Sequence, residues 1–306
     1  MTGCGTRNAS YVGLVATGEL ERRAAAARDL GRSCLLCPWS CGVDRPAGAR
    51  GRCRTAGRAS VASFGPHFGE EPPISGRRGS GTIFFSGCNL RCVFCQNYDI
   101  SHLDEGREVS AEELAEIMLE LQMQGCHNIN LVSPSHVVAQ ILEALPHAVE
   151  RGLVIPLVYN TGGYDSVDTL RLLEGVVDIY LPDIKYADEE VARRLSGPAD
   201  YVTCAQAAVR EMYRQVGDLQ VDRVGAATRG IIIRHLVLPG DLGGTRRILS
   251  WIAREVSTTA CVNIMGQYRP CFEAVGQDEL ARRPSAEEMA AAYAAAEEAG
   301  VSCIFR

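Results

Sequence analysis

At 306 residues, with 46% hydrophobic and 22% charged side chains, the chain suits one sizeable α/β domain with room for a small appendage. A formal net charge of −6 with scattered arginines gives no basic stripe for a nucleic acid. No run approaches the ~18–20 apolar residues of a membrane span, and the first 30 residues lack a secretory signal, so a cytoplasmic location is expected.

Residues 18–30 (GELERRAAAARDL) predict a helix of good formers stopped by Gly31. Residues 31–80 are rich in Gly, Pro and Arg and read as irregular structure that needs a ligand or a neighbour to hold it. Within them, Cys34-Leu-Leu-Cys37-Pro-Trp-Ser-Cys41 and Cys53 place four thiols in 20 residues. In a chain neither small nor secreted, such crowding points to metal or iron–sulfur ligands rather than disulfides. Tetrahedral zinc would staple the segment. An auxiliary [4Fe–4S] cluster would staple it and could also pass electrons. The paired C-x2-C spacing of zinc ribbons is absent and a Cys-Pro dipeptide is present, which favours the cluster.

From residue 81, short β-rich runs alternate with helical segments. The runs are Gly81–Gly87, Asn128–Ser133, Leu153–Asn160, Val176–Asp183, Gly230–Leu238 and Ala260–Tyr268. Their continuous apolar character suits parallel strands covered on both faces. Ser110 with Glu113 and Ser285 with Glu288 make capping boxes, their helices ending at Gly125 and Gly300; Asp165 and Gly175 bracket a third helix. Six such units predict a partial (β/α)6 barrel over residues 81–306, preceded by a helix and a cysteine-rich segment over residues 1–80. A doubly wound open sheet is the alternative. In both, chemistry sits at the C-terminal ends of the strands.

Directly after the first run comes Cys88-Asn-Leu-Arg-Cys92-Val-Phe-Cys95. Three thiolates at this spacing can converge on one cluster from a single loop. A [4Fe–4S] cubane normally takes four cysteines, so three leave one iron open for a cofactor or substrate. A three-cysteine zinc site with a distant fourth ligand is the alternative. The six other cysteines (Cys4, Cys126, Cys204, Cys261, Cys271, Cys303) lie singly, and most read as small buried hydrophobes.

C-x3-C-x2-C with an aromatic before its last cysteine resembles the radical S-adenosylmethionine (SAM) superfamily. The runs HFGEEPP, NINLVSPSH, YNTGGYD, IYLPDIKY, RHLVLPG and NIMGQYRP narrow the resemblance to the pyruvate formate-lyase activase-like branch with extra N-terminal cysteines, over roughly residues 34–275. The chain is also similar to the radical SAM epimerases that act on a sugar in avilamycin-type antibiotics. The resemblance implies that SAM chelates the open iron. One electron, from a donor such as flavodoxin or ferredoxin, then yields methionine and a 5′-deoxyadenosyl radical that abstracts hydrogen.

By the same resemblance Phe94 lies beside the adenine, Asp183 and Lys185 near SAM and the substrate, and Arg234 on the SAM carboxylate. Asn160, Thr161, His235 and Gln267 are further strand-end candidates. The family's Gly-Gly-Glu-Pro turn is replaced by Ser133-Pro134-Ser135-His136, which leaves Ser133 and His136 as candidate methionyl contacts. His67 is noted with Glu70 and Glu71. The expected reaction is epimerisation of a small molecule such as a sugar or oligosaccharide, with Cys204 returning hydrogen and Cys261 or Cys271 as alternatives. An activase acting on a partner protein and a non-enzymatic metal scaffold are the other readings.

Overall fold

The apolar runs pair into one sheet in the computed structural model, which describes residues 9–305; Cys4 lies outside the described residues. The strands are β1 (Ala59–His67), β2 (Ser80–Phe85), β3 (Arg107–Val109), β4 (Ile129–Val132), β5 (Leu157–Thr161), β6 (Ile179–Pro182), β7 (Gln220–Val221), β8 (Ala227–Leu236), β9 (Cys261–Met265) and β10 (Cys303–Phe305). Their order is β10-β9-β8-β6-β5-β4-β2-β1-β3, with β7 attached to β8. From β2 through β4, β5, β6, β8 and β9 every pairing is parallel and the order never reverses. A doubly wound sheet would reverse at a switch point. The chain is therefore a partial (β/α)6 barrel, left open between β10 and β3.

Alternate residues explain the two-sided burial. Ile83, Leu131, Tyr159, Ile231 and Ile233 pack outwards with the helices. Val158, Ile179, Leu181, Ile232 and Cys261 pack inwards with Ile74. Both capping boxes form, with Ser110 and Ser285 accepting from the backbone of Glu113 and Glu288.

Three expectations need correction. The first helix, Glu19–Arg32, runs through Gly31. Gly31 is buried there because the chain folds back against it, Arg45 N donating to its carbonyl at 3.0 Å. Asp165 and Gly175 do bracket a helix, Val167–Leu172, and Asp165 accepts from the Tyr159 and Thr161 hydroxyls. Residues 59–67 are a strand rather than irregular, antiparallel to β2 in the register His67↔Ser80. Its Ala, Ser, Gly and Pro content is poor strand sequence, so the pairing with β2 imposes it. Finally, Cys261 and Cys303 are joined as a disulfide across the β9–β10 pair, where the register sets them opposite each other.

After β1 the chain crosses beneath the barrel. Ile74 fills the lower lumen and its carbonyl accepts from Asn128 Nδ2 at 2.8 Å. At the opposite rim, Gly163 has φ +85°, and a Cβ there would stand 2.2 Å from the Asp183 carbonyl oxygen. Gly163→Ala should therefore cost about 2–4 kcal/mol from left-handed strain and overpacking together. Urea unfolding of the metal-free protein measures this; an unchanged midpoint would show that the turn can reshape freely.

Candidate active site

Beyond β2 the chain turns at Gly87 and enters the three-cysteine loop. Neighbouring elements grip this loop by its backbone: Arg91 N donates to Ser196 O, Val93 N to Leu195 O and Ala274 N to Val93 O, each at 2.9 Å. Every sulfur has a polar partner. Leu90 N donates to Cys88 Sγ at 3.3 Å, Ser196 Oγ to Cys92 Sγ at 2.9 Å, and Cys95 Sγ meets Ser101 Oγ at 3.2 Å. Burial pushes the Cys88 thiol up to about 12 and the Cys92 thiol up to about 11, with neighbouring sulfurs adding to both and Lys185 opposing. Three thiols close enough to weigh on one another, each with a hydrogen-bond partner, fit a cluster's ligand set; loading displaces their protons. Among the described residues no three His, Cys, Asp or Glu side chains gather closely enough for a single metal ion. A cubane needs a wider spread, because each thiolate binds a different iron.

Below this loop, inward side chains form a buried polar layer. Arg234 Nε reaches Asp183 Oδ1 at 2.9 Å, Nη1 reaches Glu70 Oε2 at 3.3 Å and Nη2 reaches Asn160 Oδ1 at 2.5 Å. Lys185 Nζ lies 2.5 Å from Asp183 Oδ2. The side chains of Arg234, Asp183 and Lys185 are each 15% exposed. Burial opposes ionisation of Asp183, but Lys185 and Arg234 overcome it and hold the carboxyl below the usual range. Burial likewise opposes the Lys185 charge, and Asp183 with Cys92 reverses that and raises it. Glu70 is raised by burial against the pull of Arg234.

The structure thus brings Asp183, Lys185, Asn160 and Arg234 together. It adds three groups the sequence reading did not place: Glu70, Asn130 (Nδ2 to Glu70 Oε1, 3.0 Å) and the Glu71–Asn263 pair at 2.7 Å. Glu71 Oε2 and Asn130 Oδ1 are buried without a protein partner. Polar residues inside apolar strands, as in Ile-Asn130-Leu and Val-Asn263-Ile, were a usable signal. Nothing local announced that Glu70 and Glu71 reach up from the crossing segment.

Other candidates lie apart from this layer. His235 faces outwards, its Nδ1 2.7 Å from Ile184 O and its Nε2 2.9 Å from Thr245 Oγ1, because Arg234 before it faces inwards. Phe94 packs edge-on against Tyr268 at 5.8 Å between ring centres. Ser133, half-buried with φ +57°, opens the turn after β4. His136 in that turn is buried, lies 2.9 Å from Ser86 O and is held neutral, pushed down to about 4 by burial with Arg45 beside it. Thr161 joins Ser135 and Asp165 in a network tying the turns after β4 and β5. Gln267 is exposed beside Met265, and His67 is exposed with its ring against Phe84. Cys261 opens β9 at the end opposite the site and is disulfide-bonded, which removes it as a hydrogen donor. Cys271 is buried near the loop.

Cys34, Cys37, Cys41 and Cys53 sit in a segment folded by few backbone bonds, among them Cys34 N to Val43 O, Gly42 N to Cys34 O and Ser40 N to Cys37 O. Burial pushes the Cys37 thiol up to about 12, the Trp39 backbone N–H opposing and the sulfurs of Cys53, Cys34 and Cys41 adding to the rise. Arg234→Met should leave Glu70 and part of Asp183 uncompensated and cost about 3–5 kcal/mol. The measurement is the urea midpoint of the metal-free protein; a loss below about 1 kcal/mol would show that water screens these carboxylates.

The radical SAM superfamily model matches residues 82–220. The uncharacterized protein MJ0674 of Methanocaldococcus jannaschii is 32% identical over 296 residues, 94% of this chain and 80% of that one. The pyruvate formate-lyase-activating enzyme of Clostridium pasteurianum is 30% identical over 120 residues, 38% of this chain and 49% of that one. Among solved structures, the FeFe-hydrogenase maturase HydG of Carboxydothermus hydrogenoformans superposes with a TM-score of 0.47 at 14% identity, covering 71% of this chain and 50% of that one. The chain carries a radical SAM superfamily domain over residues 82–220, and members of that superfamily are enzymes that use S-adenosylmethionine at a [4Fe–4S] cluster.

Proposed function

We propose that Cys88, Cys92 and Cys95 hold a [4Fe–4S] cluster with one open iron, and that SAM bound there starts hydrogen-atom chemistry on a small molecule. The observation that carries this is the three-sulfur loop itself, gripped by its neighbours at the C-terminal end of the first parallel strand. With cluster and SAM bound, the chemistry supplied is one-electron cleavage to methionine and a 5′-deoxyadenosyl radical.

The chain's own residues hold and orient. The Lys185 ammonium offsets the charge of the Cys88 and Cys92 thiolates, whose ionisation it favours. Asp183, Asn160 and Arg234 make a fixed polar floor for the methionyl end of SAM, with Ser133 and His136 at the adjacent turn and Phe94 toward the adenine. In this reading Cys34, Cys37, Cys41 and Cys53 bind an auxiliary [4Fe–4S] cluster; zinc, the alternative, would need the sulfurs drawn closer together than they stand. A carrier such as flavodoxin or ferredoxin supplies the electron.

Epimerisation of a sugar or oligosaccharide is supported by Cys204. Its thiol, half-buried in the first turn of the helix Tyr201–Val216, donates to Asp200 Oδ2 at 3.4 Å. Burial, with Asp200 reinforcing it, pushes this thiol up to about 12, so it keeps its hydrogen at neutral pH. A hydrogen atom leaves the substrate carbon from one face, and the Cys204 S–H returns one from the other. The sulfur, one hydrogen atom short, is restored by one electron from the carrier and one proton from solvent. The match to an activating enzyme favours a second reading, an activase that takes hydrogen from a glycine of a partner protein.

The test is anaerobic reconstitution with dithionite, SAM and candidate sugars in D2O. One deuterium at a carbon of an isomeric product supports epimerisation; deoxyadenosine without a labelled product points to a protein substrate. Cys88→Ala, Cys92→Ala or Cys95→Ala should abolish SAM cleavage, and surviving cleavage would overturn the core reading. Cys204→Ala should stop epimerisation while sparing deoxyadenosine, so unaffected turnover would remove Cys204 from the mechanism.

A further inference from the structure

Trp39 belongs to the Cys37–Cys41 turn, yet its indole Nε1 donates at 2.6 Å to the carbonyl oxygen of Asn89, the residue after Cys88. That carbonyl and the Leu90 N–H are the two ends of one rigid, planar peptide unit. The Leu90 N–H is the group that donates to Cys88 Sγ at 3.3 Å. Trp39 thus holds one end of the peptide whose other end bonds a sulfur of the SAM-cluster triad. The Asn89 side chain steadies the same unit, donating through Nδ2 to Tyr164 O at 2.6 Å, while the Trp39 and Tyr164 rings meet edge to face at 5.8 Å. A second contact joins the two segments: the Cys53 carbonyl oxygen stands 2.4 Å from where a Cβ on Gly87 would be. Both halves of the four-cysteine site therefore bear on the turn that launches Cys88.

We propose that Trp39 is a positioning residue that transmits the filling of the Cys34, Cys37, Cys41 and Cys53 site to the Cys88–Cys95 cluster. The proposal rests on the cluster reading above. No helix or strand spans residues 33–58, and Trp39 is held there by the Arg52 guanidinium over its ring at 4.3 Å and by the Tyr164 edge; a metal or cluster bound by the four thiols adds to that order by fixing the turn that carries the indole. Ordered, the indole fixes the Asn89–Leu90 peptide and with it the N–H···S bond on Cys88. Such a bond stabilises the more negative, reduced cluster, so the bond raises the reduction potential. Outer-shell partners of this kind govern metal retention by about 10–100-fold.

The experiment uses the full chain reconstituted anaerobically, with EPR-monitored redox titration of the Cys88–Cys95 cluster and its rate of iron release to a chelator. Trp39→Phe keeps the ring and removes the donor. It should shift the midpoint potential negative and speed iron release about tenfold. Cys41→Ala, scored on preparations whose iron and zinc analysis shows the N-terminal site empty, should move both readouts the same way, and adding Trp39→Phe to it should change little more. Unchanged potential and release in Trp39→Phe would overturn the proposal. So would a Cys41→Ala protein that loses only its own iron. If Trp39→Phe yields no soluble protein, Cys41→Ala carries the test by the same readouts. A wild-type chain that assembles nothing at Cys88–Cys95 would instead overturn the reading beneath.

Discussion

The Arg234 guanidinium is the point from which the interior of this barrel is organised. Its nitrogens reach Asp183 beyond β6, Asn160 on β5 and Glu70 from the segment crossing beneath the barrel. Removing such charges from water costs several kcal/mol per ion, and mutual attraction offsets this only where hydrogen bonding is nearly complete. The network is therefore of more use for fixing geometry than for adding stability. It sets the end of β6, and with it Lys185, beside the Cys88 and Cys92 sulfurs.

Above that layer, close approach does the positioning. Leu90 lies 2.8 Å from where a Gly162 Cβ would be, and Gly163 leaves room for the Asp183 carbonyl. Two glycines after β5 thus let the cluster loop and the end of β6 nest together. The cluster loop itself has no regular structure to stiffen it. Its order comes from Ser196, Leu195 and Ala274, which lie far along the chain, and from Trp39, which comes from the other cysteine segment. The two thiol-rich segments, 35 residues apart between Cys53 and Cys88, touch at Gly87 and Asn89.

Function follows from this layering. An apolar plug with Ile74 closes the lower lumen, charged and amide groups fill the middle, and the sulfurs sit at the rim. In the function proposed here, the polar ends of SAM would meet fixed partners in this middle layer. Cys204, at the N-terminus of the helix Tyr201–Val216, is kept as a thiol by burial and an acidic neighbour, whereas Cys261 is spent in a disulfide at the far end of the barrel.

What the sequence determined alone is what depends on neighbours in the chain. Six apolar runs, two capping boxes and the Cys88–Cys95 spacing are local patterns, and they were enough for the partial barrel and the superfamily. The tertiary structure decided what depends on residues far apart. β1 is a strand because β2 and β3 pair with it, and Glu70 and Glu71 enter the lumen only because the crossing segment lies beneath it. His235 turns from the site because Arg234 beside it faces inwards. The Cys261–Cys303 bond exists because two parallel strands bring those residues level, across 42 positions of chain. The indole of Trp39 meets the Asn89 carbonyl for the same reason: spacing in sequence says which thiols can share a ligand, but only the fold says which peptide a distant side chain will hold.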